Sequence, residues 1–297
     1  MLLDKKIPFT YILSKVRVEL VYILLIGIVV NYITREFVNI VPAIPIVIPT
    51  FVGTAISVVL SFKLSQSYDR WWEARKIWGS IVNDSRNLVL QLLAFVEGEH
   101  QQLISRIALR QIAWCYSLGH SLRGLNALTD LQNYIDEDEL EKLRLHQNKP
   151  LGLIKRHVED IRELKEKGLV DTYSYVQINR TIVSLTNSMG MAERIKSTIF
   201  PVTYRLFLHI IIYVFIITLS IALRNLESYI EIPLLVVVAV FFFLLERTAT
   251  HLQDPFSNKP TDTAMTAIAT NIEINIRQLL NLGYVPEPHR PDGFYLC

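Results

Sequence analysis

The side chains that could carry chemistry are scattered along this chain, and their spacing assembles no reaction centre. His100, His120, His146, His157, His209, His251 and His289 stand apart from one another. There is no Walker-type phosphate loop, no glycine-rich nucleotide fingerprint, no paired-cysteine motif and no His-Glu-x-x-His zinc helix. His251 and Asp254 could offer two metal ligands in one turn, but two ligands fall short of a site, and a helix-end pair is the expected reading. Cys115 and His120, five residues apart on a helix, point in different directions, so Cys115 is expected to be a buried thiol. No catalytic residue, metal or cofactor is therefore assigned. Arg205 and His209 raise another possibility, because ionisable groups at membrane depth are costly and often functional. They lie four apart on one face. Arg205 can snorkel to the headgroups, and an anchor beside a packed histidine is weighed equally with a place on an ion path.

The element that could use such groups is the run from Ile44 to Gly79, IPIVIPTFVGTAISVVLSFKLSQSYDRWWEARKIWG, where one helical pattern passes from bilayer-grade hydrophobicity into aromatic and charged residues. No charge falls between Pro49 and Lys63. Spacing of four sorts the run into two stripes, Gly53, Ser57, Ser61, Ser65 and Thr54, Val58, Phe62. Small residues let helices approach closely in lipid, so Gly53, Ser57 and Ser61 are expected to pack against neighbours. The second stripe would then face whatever several such helices enclose. Periodicity alone does not separate a pore wall from a lipid face.

Composition implies two environments. The 297 residues are 51% hydrophobic, too apolar for an ordinary soluble domain, yet 20% are charged, too many for a chain wholly in lipid. A span needs about 17–25 mostly apolar residues, and four segments approach that, Leu20 to Thr34, Ile44 to Phe62, Pro201 to Leu223 and Ile232 to Leu245. The first and last are short and lean on Tyr22, Tyr32, Tyr229 and flanking charges as anchors. Lys5, Lys6, Lys15 and Arg17 precede the first span; Lys63, Arg70, Arg75 and Lys76 follow the second; Arg194 and Lys196 precede the third; Arg247 follows the fourth. The positive-inside rule places both termini and the long middle segment in the cytoplasm of a multi-pass cell-membrane protein. A cleaved signal peptide at Leu20 to Tyr32 carries little weight, because no small-x-small site follows it. Cys115 and Cys297 would both lie on the reducing side, so no disulfide is expected. A net charge of +2 with no basic tract gives no sign of nucleic acid.

The chain thus divides into 1–62, with the first two spans, a helical cytoplasmic segment 63–200, the paired spans of 201–250, and a C-terminal part 251–297. Trp71, Trp78, Val82, Leu88, Leu92 and Val96 extend the second span as a long helix that Gly98 ends. Helices follow over Gln101 to Leu118, Leu128 to Leu145 and Leu153 to Lys167, the last two read as solvated from their acidic and alternating charges. Gly168 stops the third of these, and Asp171 or Thr172 caps a helix from Tyr173 to about Ile195. An amphipathic helix from Thr263 to Asn281 carries Ile268, Ile272, Ile276 and Leu279 on one face, and Pro286 to Pro291 are expected as an extended arm against a neighbour or as a disordered tail. No internal repeat is present.

Particular residues resemble a known family. Phe62-Lys63, then Ser67-Tyr68-Asp69-Arg70-Trp71-Trp72-Glu73-Ala74-Arg75 and Trp78-Gly79, look like the signature after the second span of bestrophins, in their bacterial branch. Pro201-Val202-Thr203-Tyr204 resembles the family's Pro-x-x-Tyr, and Asp254-Pro255-Phe256 its Asp/Asn-Pro-Phe. The likeness runs from about Pro8 to Leu280 and covers all four spans in order.

That resemblance implies an all-α membrane protein with four transmembrane helices per subunit and a large helical cytoplasmic domain, assembled as a homopentamer around a central pore. The family's three neck constrictions fall on Thr54, Val58 and Phe62, and its cytosolic aperture near Thr172 or Tyr173. A ring of Val58 and Phe62 offers no oxygen to replace an ion's hydration shell, so the neck is expected to gate more than it sieves. Thr54 and Val58 depart from the bulkier residues usual at the family's neck, which weakens an expectation of chloride selectivity, and because the family's bacterial branch includes cation-selective channels the resemblance leans to monovalent cations over a chloride-selective channel of the same build. The family's calcium clasp corresponds here to Ser257-Asn258-Lys259-Pro260-Thr261-Asp262, where one carboxylate cannot supply calcium's roughly six to eight oxygens. No calcium gating is expected, and Asp262 is read as a helix cap. Trp71, Trp72, Trp78 and Tyr68 are expected to pack in a core with Arg70, Glu73 and Arg75 in ion pairs, although Asp69 and Glu73 could instead line a vestibule. The contrasting function is a membrane-anchored scaffold or sensor that passes no ions. Expected partners are the lipid bilayer, monovalent ions and further copies of the chain.

Overall fold

The computed structural model describes residues 8–98, 100–198, 201–291, 293 and 295. Lys5, Lys6 and Cys297 lie outside the described residues. Ten α-helices follow one another among the described residues: α1 (Phe9–Lys15), α2 (Arg17–Glu36), α3 (Val47–Phe95), α4 (Gln101–Leu122), α5 (Glu137–Arg144), α6 (Lys149–Glu166), α7 (Thr172–Ser197), α8 (Val202–Ala222), α9 (Ser228–Gln253) and α10 (Met265–Leu279). No strand is found among the described residues, so the fold is all-α. Residues 8–70 with 201–253 form one compact unit, and 71–198 with the described residues from 254 onward form another.

The first unit holds four helices long and apolar enough to cross a membrane, α2, α8, α9 and the first part of α3. Each buries only a narrow stripe. On α2 this is Glu19, Ile23, Gly27, Asn31 and Thr34, at helical spacing, turned toward α8 and α9. Ile23, Ile56, Leu60, Leu208, Ile212, Leu235, Ala239 and Phe243 form the core between the helices. The outer faces remain apolar: Leu25 and Val29 on α2, Phe207 and Ile210 on α8, Val237 and Phe241 on α9 are exposed on the chain. Such surfaces are stable only where lipid replaces water. The chain is a multi-pass membrane protein. The first and fourth spans are longer than their apolar runs, because flanking polar residues find partners and let the backbone stay helical. Arg247 pairs with Glu19, and Arg35 Nη2 donates to the Leu226 carbonyl at 2.7 Å.

α3 and α8 meet where α3 has no side chain. A Cβ on Gly53 would stand 3.0 Å from Phe215 Cε2, so glycine is what permits this approach. Phe215 in turn packs edge-on against Phe242, with ring centroids 5.3 Å apart.

In the second unit α4 is the central element, packed on α6, α7 and α10. Ile107, Ala108, Ile112, Ala113, Trp114 and Cys115 are all fully buried. All four tryptophans of the chain belong to this unit: Trp78 and Trp114 are fully buried, Trp71 is half-buried and Trp72 is half-exposed.

Two expectations are corrected here. The helix over Leu128 to Leu145 is broken into a single 3-10 turn at Leu131–Asn133 and the short α5. Asp130 adopts a left-handed φ of 62° and Asp136 is extended, and either conformation stops a helix. Nor are α5 and α6 simply solvated. Their exposed carboxylates do pair with nearby bases, as Arg162 Nε with Glu166 at 2.7 Å. Their other faces bury Glu139, His157, Asp160, Ile161 and Leu164, and the guanidinium of Arg110 on α4 is held between Glu139 and Asp160. Burial opposes the charge on Arg110, yet the two carboxylates outweigh it and raise the pKa.

Gly168, at φ 70°, turns the chain after α6. Asp171 then caps α7, its Oδ1 accepting from the backbone N–H of Tyr173 at 2.7 Å and of Ser174 at 3.2 Å. Against α4, α10 buries Met265, Ala269, Ile272, Glu273 and Ile276. Residues 284–291 carry no regular secondary structure.

Candidate functional site

The α3 stripe singled out by spacing lies on the outside of the first unit. Thr54 is exposed, Val58 is 51% exposed and Phe62 is 66% exposed, while Ile56, Leu60 and Lys63 turn inward. The packing stripe divides: Gly53 is buried against Phe215, whereas Ser57 and Ser61 are exposed on the chain. Thr54 Oγ1 donates to the Thr50 carbonyl at 2.9 Å and Ser57 Oγ to the Gly53 carbonyl at 2.8 Å, so both hydroxyls are engaged by their own helix. The same exposed edge continues through Ser65 to Asp69. Of the vestibule candidates, Asp69 is exposed and Glu73 is half-buried, 3.2 Å from Arg194. Thr172 and Tyr173 sit together at the start of α7; Tyr173 is 89% exposed, and Lys165 Nζ donates to Thr172 Oγ1 at 3.0 Å.

The aromatic belt is only partly core. Trp78 is fully buried and the Trp71 indole donates to the Thr261 carbonyl at 2.8 Å, but Trp72 and Tyr68 are about half-exposed. Arg70 Nε donates to the Gln253 carbonyl at 2.9 Å.

Lys63, counted above among the bases that follow the second span, has its side chain fully buried inside the first unit. Its Nζ lies 2.7 Å from Glu246 Oε1 and 3.0 Å from Thr250 Oγ1, and Thr250 donates to the same Oε1 at 2.8 Å. His209 Nε2 approaches the other carboxylate oxygen, Oε2, to 3.2 Å, without the alignment of a hydrogen bond. Three helices thus bring an amine, a carboxylate and an imidazole to one place. Glu246, the residue that ties them together, falls one position past the expected end of the fourth span. The signal available in sequence was an acid, a base and a histidine near the same end of three spans. Arg205, one turn from His209, is exposed as a snorkelling anchor would be. A second buried carboxylate lies toward the other end of α9, where Glu231 accepts from Asn31 Nδ2 at 2.6 Å and Ser220 Oγ at 2.8 Å.

The loop after α9 closes on itself. Asp262 Oδ2 accepts from the Lys259 N–H at 2.9 Å while Asn258 adopts a φ of 62°, and burial raises the Asp262 carboxyl pKa. Asp262 is therefore a turn-closing residue and not the cap of α10, whose N-cap position is Ala264. Asp254 is partly buried, which opposes ionisation, but the Ser257 hydroxyl and Lys196 Nζ, at 3.1 Å, hold its carboxyl below the usual range. The expected His251–Asp254 pair is replaced by separate contacts: His251 Nδ1 lies 3.2 Å from Lys15 Nζ. No group of three or more His, Cys, Asp or Glu is placed to hold a metal among the described residues. Cys115 is fully buried beside Ser85, and burial pushes its thiol up to about 12, the state of an inert packed sulfur.

Four crossing helices, one bearing a polar outer edge, together with a second helical unit define a polytopic helical membrane protein. The chain belongs to the bacterial/fungal bestrophin family, whose model matches residues 8–278. It is 28% identical over 236 residues to a voltage-dependent anion channel-forming protein of Ralstonia nicotianae, covering 78% of this chain and 76% of the relative. The protein of the same description from Escherichia coli K12, YneE, is 28% identical over 247 residues, covering 83% and 80%. Among solved structures, a bacterial bestrophin homolog from Klebsiella pneumoniae superposes with a TM-score of 0.85 at 24% identity, covering 90% of this chain and 98% of that one. A mutated form of the same homolog gives 0.84 at 25% identity, covering 90% and 99%.

Proposed function

We propose that this protein is an ion channel in which five copies surround one axis and turn the Thr54, Val58, Phe62 edge of α3 inward as a neck. The observation that carries this is the contrast between outer faces. Through the bilayer α2, α8 and α9 present Leu25, Val29, Ile210, Val237 and Phe241, all apolar, whereas the exposed edge of α3 presents Thr54, Ser57 and Ser61 among its apolar residues, and the same edge runs on past the span to Ser65 and Asp69. The Thr54 and Ser57 hydroxyls donate to their own helix, yet their oxygens keep acceptor capacity that lipid leaves unmet and a water column shared by several subunits meets. Ser57 and Ser61 then lie where neighbouring copies of α3 approach, and Thr172 with Tyr173 form the cytosolic aperture. The excess of bases beside these spans, Arg17, Arg70, Arg75, Lys76, Arg194 and Lys196, supports a cytoplasmic side for both termini and residues 63–200.

The neck supplies no ordered ring of oxygens, because the Thr54 hydroxyl is engaged by its own helix and Val58 and Phe62 have none. Such a constriction conducts when wet and blocks when dry. Small monovalent ions are the permeant class, and a neck with one aromatic position, Phe62, offers few of the electropositive ring edges that suit anions, which favours cations. An anion-selective reading is favoured by the names of the relatives, which are anion channel-forming proteins.

Purified protein in liposomes under a salt gradient tests both. The expected result is a conductance whose size or reversal potential changes with Val58→Ala and with Phe62→Ala. No flux would leave the scaffold reading standing. Flux indifferent to both substitutions would remove the neck from α3.

A further inference from the structure

We infer that Lys63, Glu246 and His209 form a brace that fixes the rotation of the neck helix, and that protonation of His209 loosens it, making the channel responsive to pH. This rests on the channel reading above. Lys63 directly follows Phe62, and successive residues on an α-helix point about 100° apart. Whatever holds Lys63 inward therefore holds Phe62 outward. What holds it is Glu246, by a 2.7 Å ion pair in which both side chains are fully buried, with Thr250 bonded to each. A buried ammonium with a weakened partner is costly, so the pair acts as a positional lock.

His209 meets the same carboxylate from α8. Its Nε2 stands 3.2 Å from Glu246 Oε2, and neither atom has a hydrogen bond. While the ring is neutral, Nε2 meets Oε2 as a lone pair in one tautomer and as a single N–H in the other, and in neither does it bring a charge. With two ring protons the contact becomes a second ion pair, and one carboxylate is then shared between two cations that repel each other. Histidine is the side chain whose charge ordinarily changes between about pH 5 and pH 8.

The other charged groups around His209 are already engaged or turned away. Arg247 on α9 pairs with Glu19 on α2. Lys15 on α1 contacts His251 on α9. On α8 itself Arg205 is exposed, and Tyr213 packs on Phe243, the ring that also meets the edge of His209 at 5.7 Å. From α2 only Glu19, Arg17 and Tyr22 carry titratable groups near this end, and Arg17 and Tyr22 are exposed. Glu246 is thus the group on which a proton at His209 acts. Its claim on Lys63 weakens, α3 turns toward releasing the ammonium, and the Phe62 ring leaves the position it holds when His209 is neutral.

The test is liposome flux at cytosolic pH from about 8 to about 5.5. Wild type is expected to gain conductance severalfold on acidification. His209→Gln is expected to stay flat at the alkaline wild-type level, and Glu246→Gln to sit near the acid level throughout. A flat wild type, or His209→Gln with the full wild-type response, overturns the proposal. A second readout needs no flux. In a Cys115→Ser, Cys297→Ser background, maleimide labelling of Phe62→Cys should change rate severalfold between the same pH limits, and lose that change when His209→Gln is added. Equal rates at both limits overturn the brace even if ions pass, whereas absent flux with pH-dependent labelling overturns the channel reading alone.

Discussion

Acidification should loosen the unit built around α4 through His157, and the size of the effect can be worked out. The ring is fully buried on α6, and neither ring nitrogen has a hydrogen-bond partner. Burial first, and the nearby Arg110 guanidinium second, push its pKa down to about 3. In the unfolded chain the imidazole titrates near 6.5, so below that pH the unfolded state takes up a proton that the folded state refuses, and stability falls as pH falls. The gap from 6.5 to about 3 is worth about 5 kcal/mol when fully developed below pH 3, and about 2 kcal/mol by pH 5. His157→Leu replaces the imidazole with an apolar side chain, which should cost no more than about 1 kcal/mol at pH 8 because no hydrogen bond is lost. Pulse proteolysis in urea, at pH 8 and pH 5, measures the stability of both chains. Other acids titrate in both, so the quantity read is the difference between them. Wild type should lose about 2 kcal/mol more than His157→Leu over this interval. Parallel losses would refute the assignment of His157 as a buried neutral base.

Arg110→Leu should destabilise the same unit by about 3–5 kcal/mol, because Glu139 and Asp160 would be left as buried carboxylates without their cation; replacing all three by apolar residues should recover much of the loss in a urea titration. Gly53→Val should cost about 1–3 kcal/mol by forcing Phe215 off its contact, and Phe215→Leu in the same chain should restore part of the melting temperature. Conductance in millimolar calcium and in chelator should superimpose, since Asp262 is committed to the Lys259 backbone; a calcium-dependent current would place a ligand set there.

What sequence conveyed well was whatever depends on local composition. The four spans stand out because each is a long apolar run, and the Thr54, Val58, Phe62 edge because its period matches a helix. The cap at Asp171 and the stop at Gly168 are equally local. What it hid depends on partners far along the chain. Lys63 counts in sequence only as one more base beside a span, and its buried partner Glu246 lies 183 residues away. The acidic residues of α5 and α6 look solvated because i,i+4 charge pairs dominate the pattern, yet Glu139 and Asp160 answer to Arg110, 29 and 50 residues distant. The break near Asp130 and Asp136 was missed because both are tolerable in a helix and only their backbone conformations, fixed by packing, exclude one.

The placement of the four tryptophans has a practical consequence. Every indole belongs to the unit around α4, and none lies in the unit that holds the membrane-crossing segments. Intrinsic fluorescence excited through tryptophan therefore reports that unit alone, with the lipid-embedded segments dark, so its melting can be followed optically in an intact bilayer without any introduced dye.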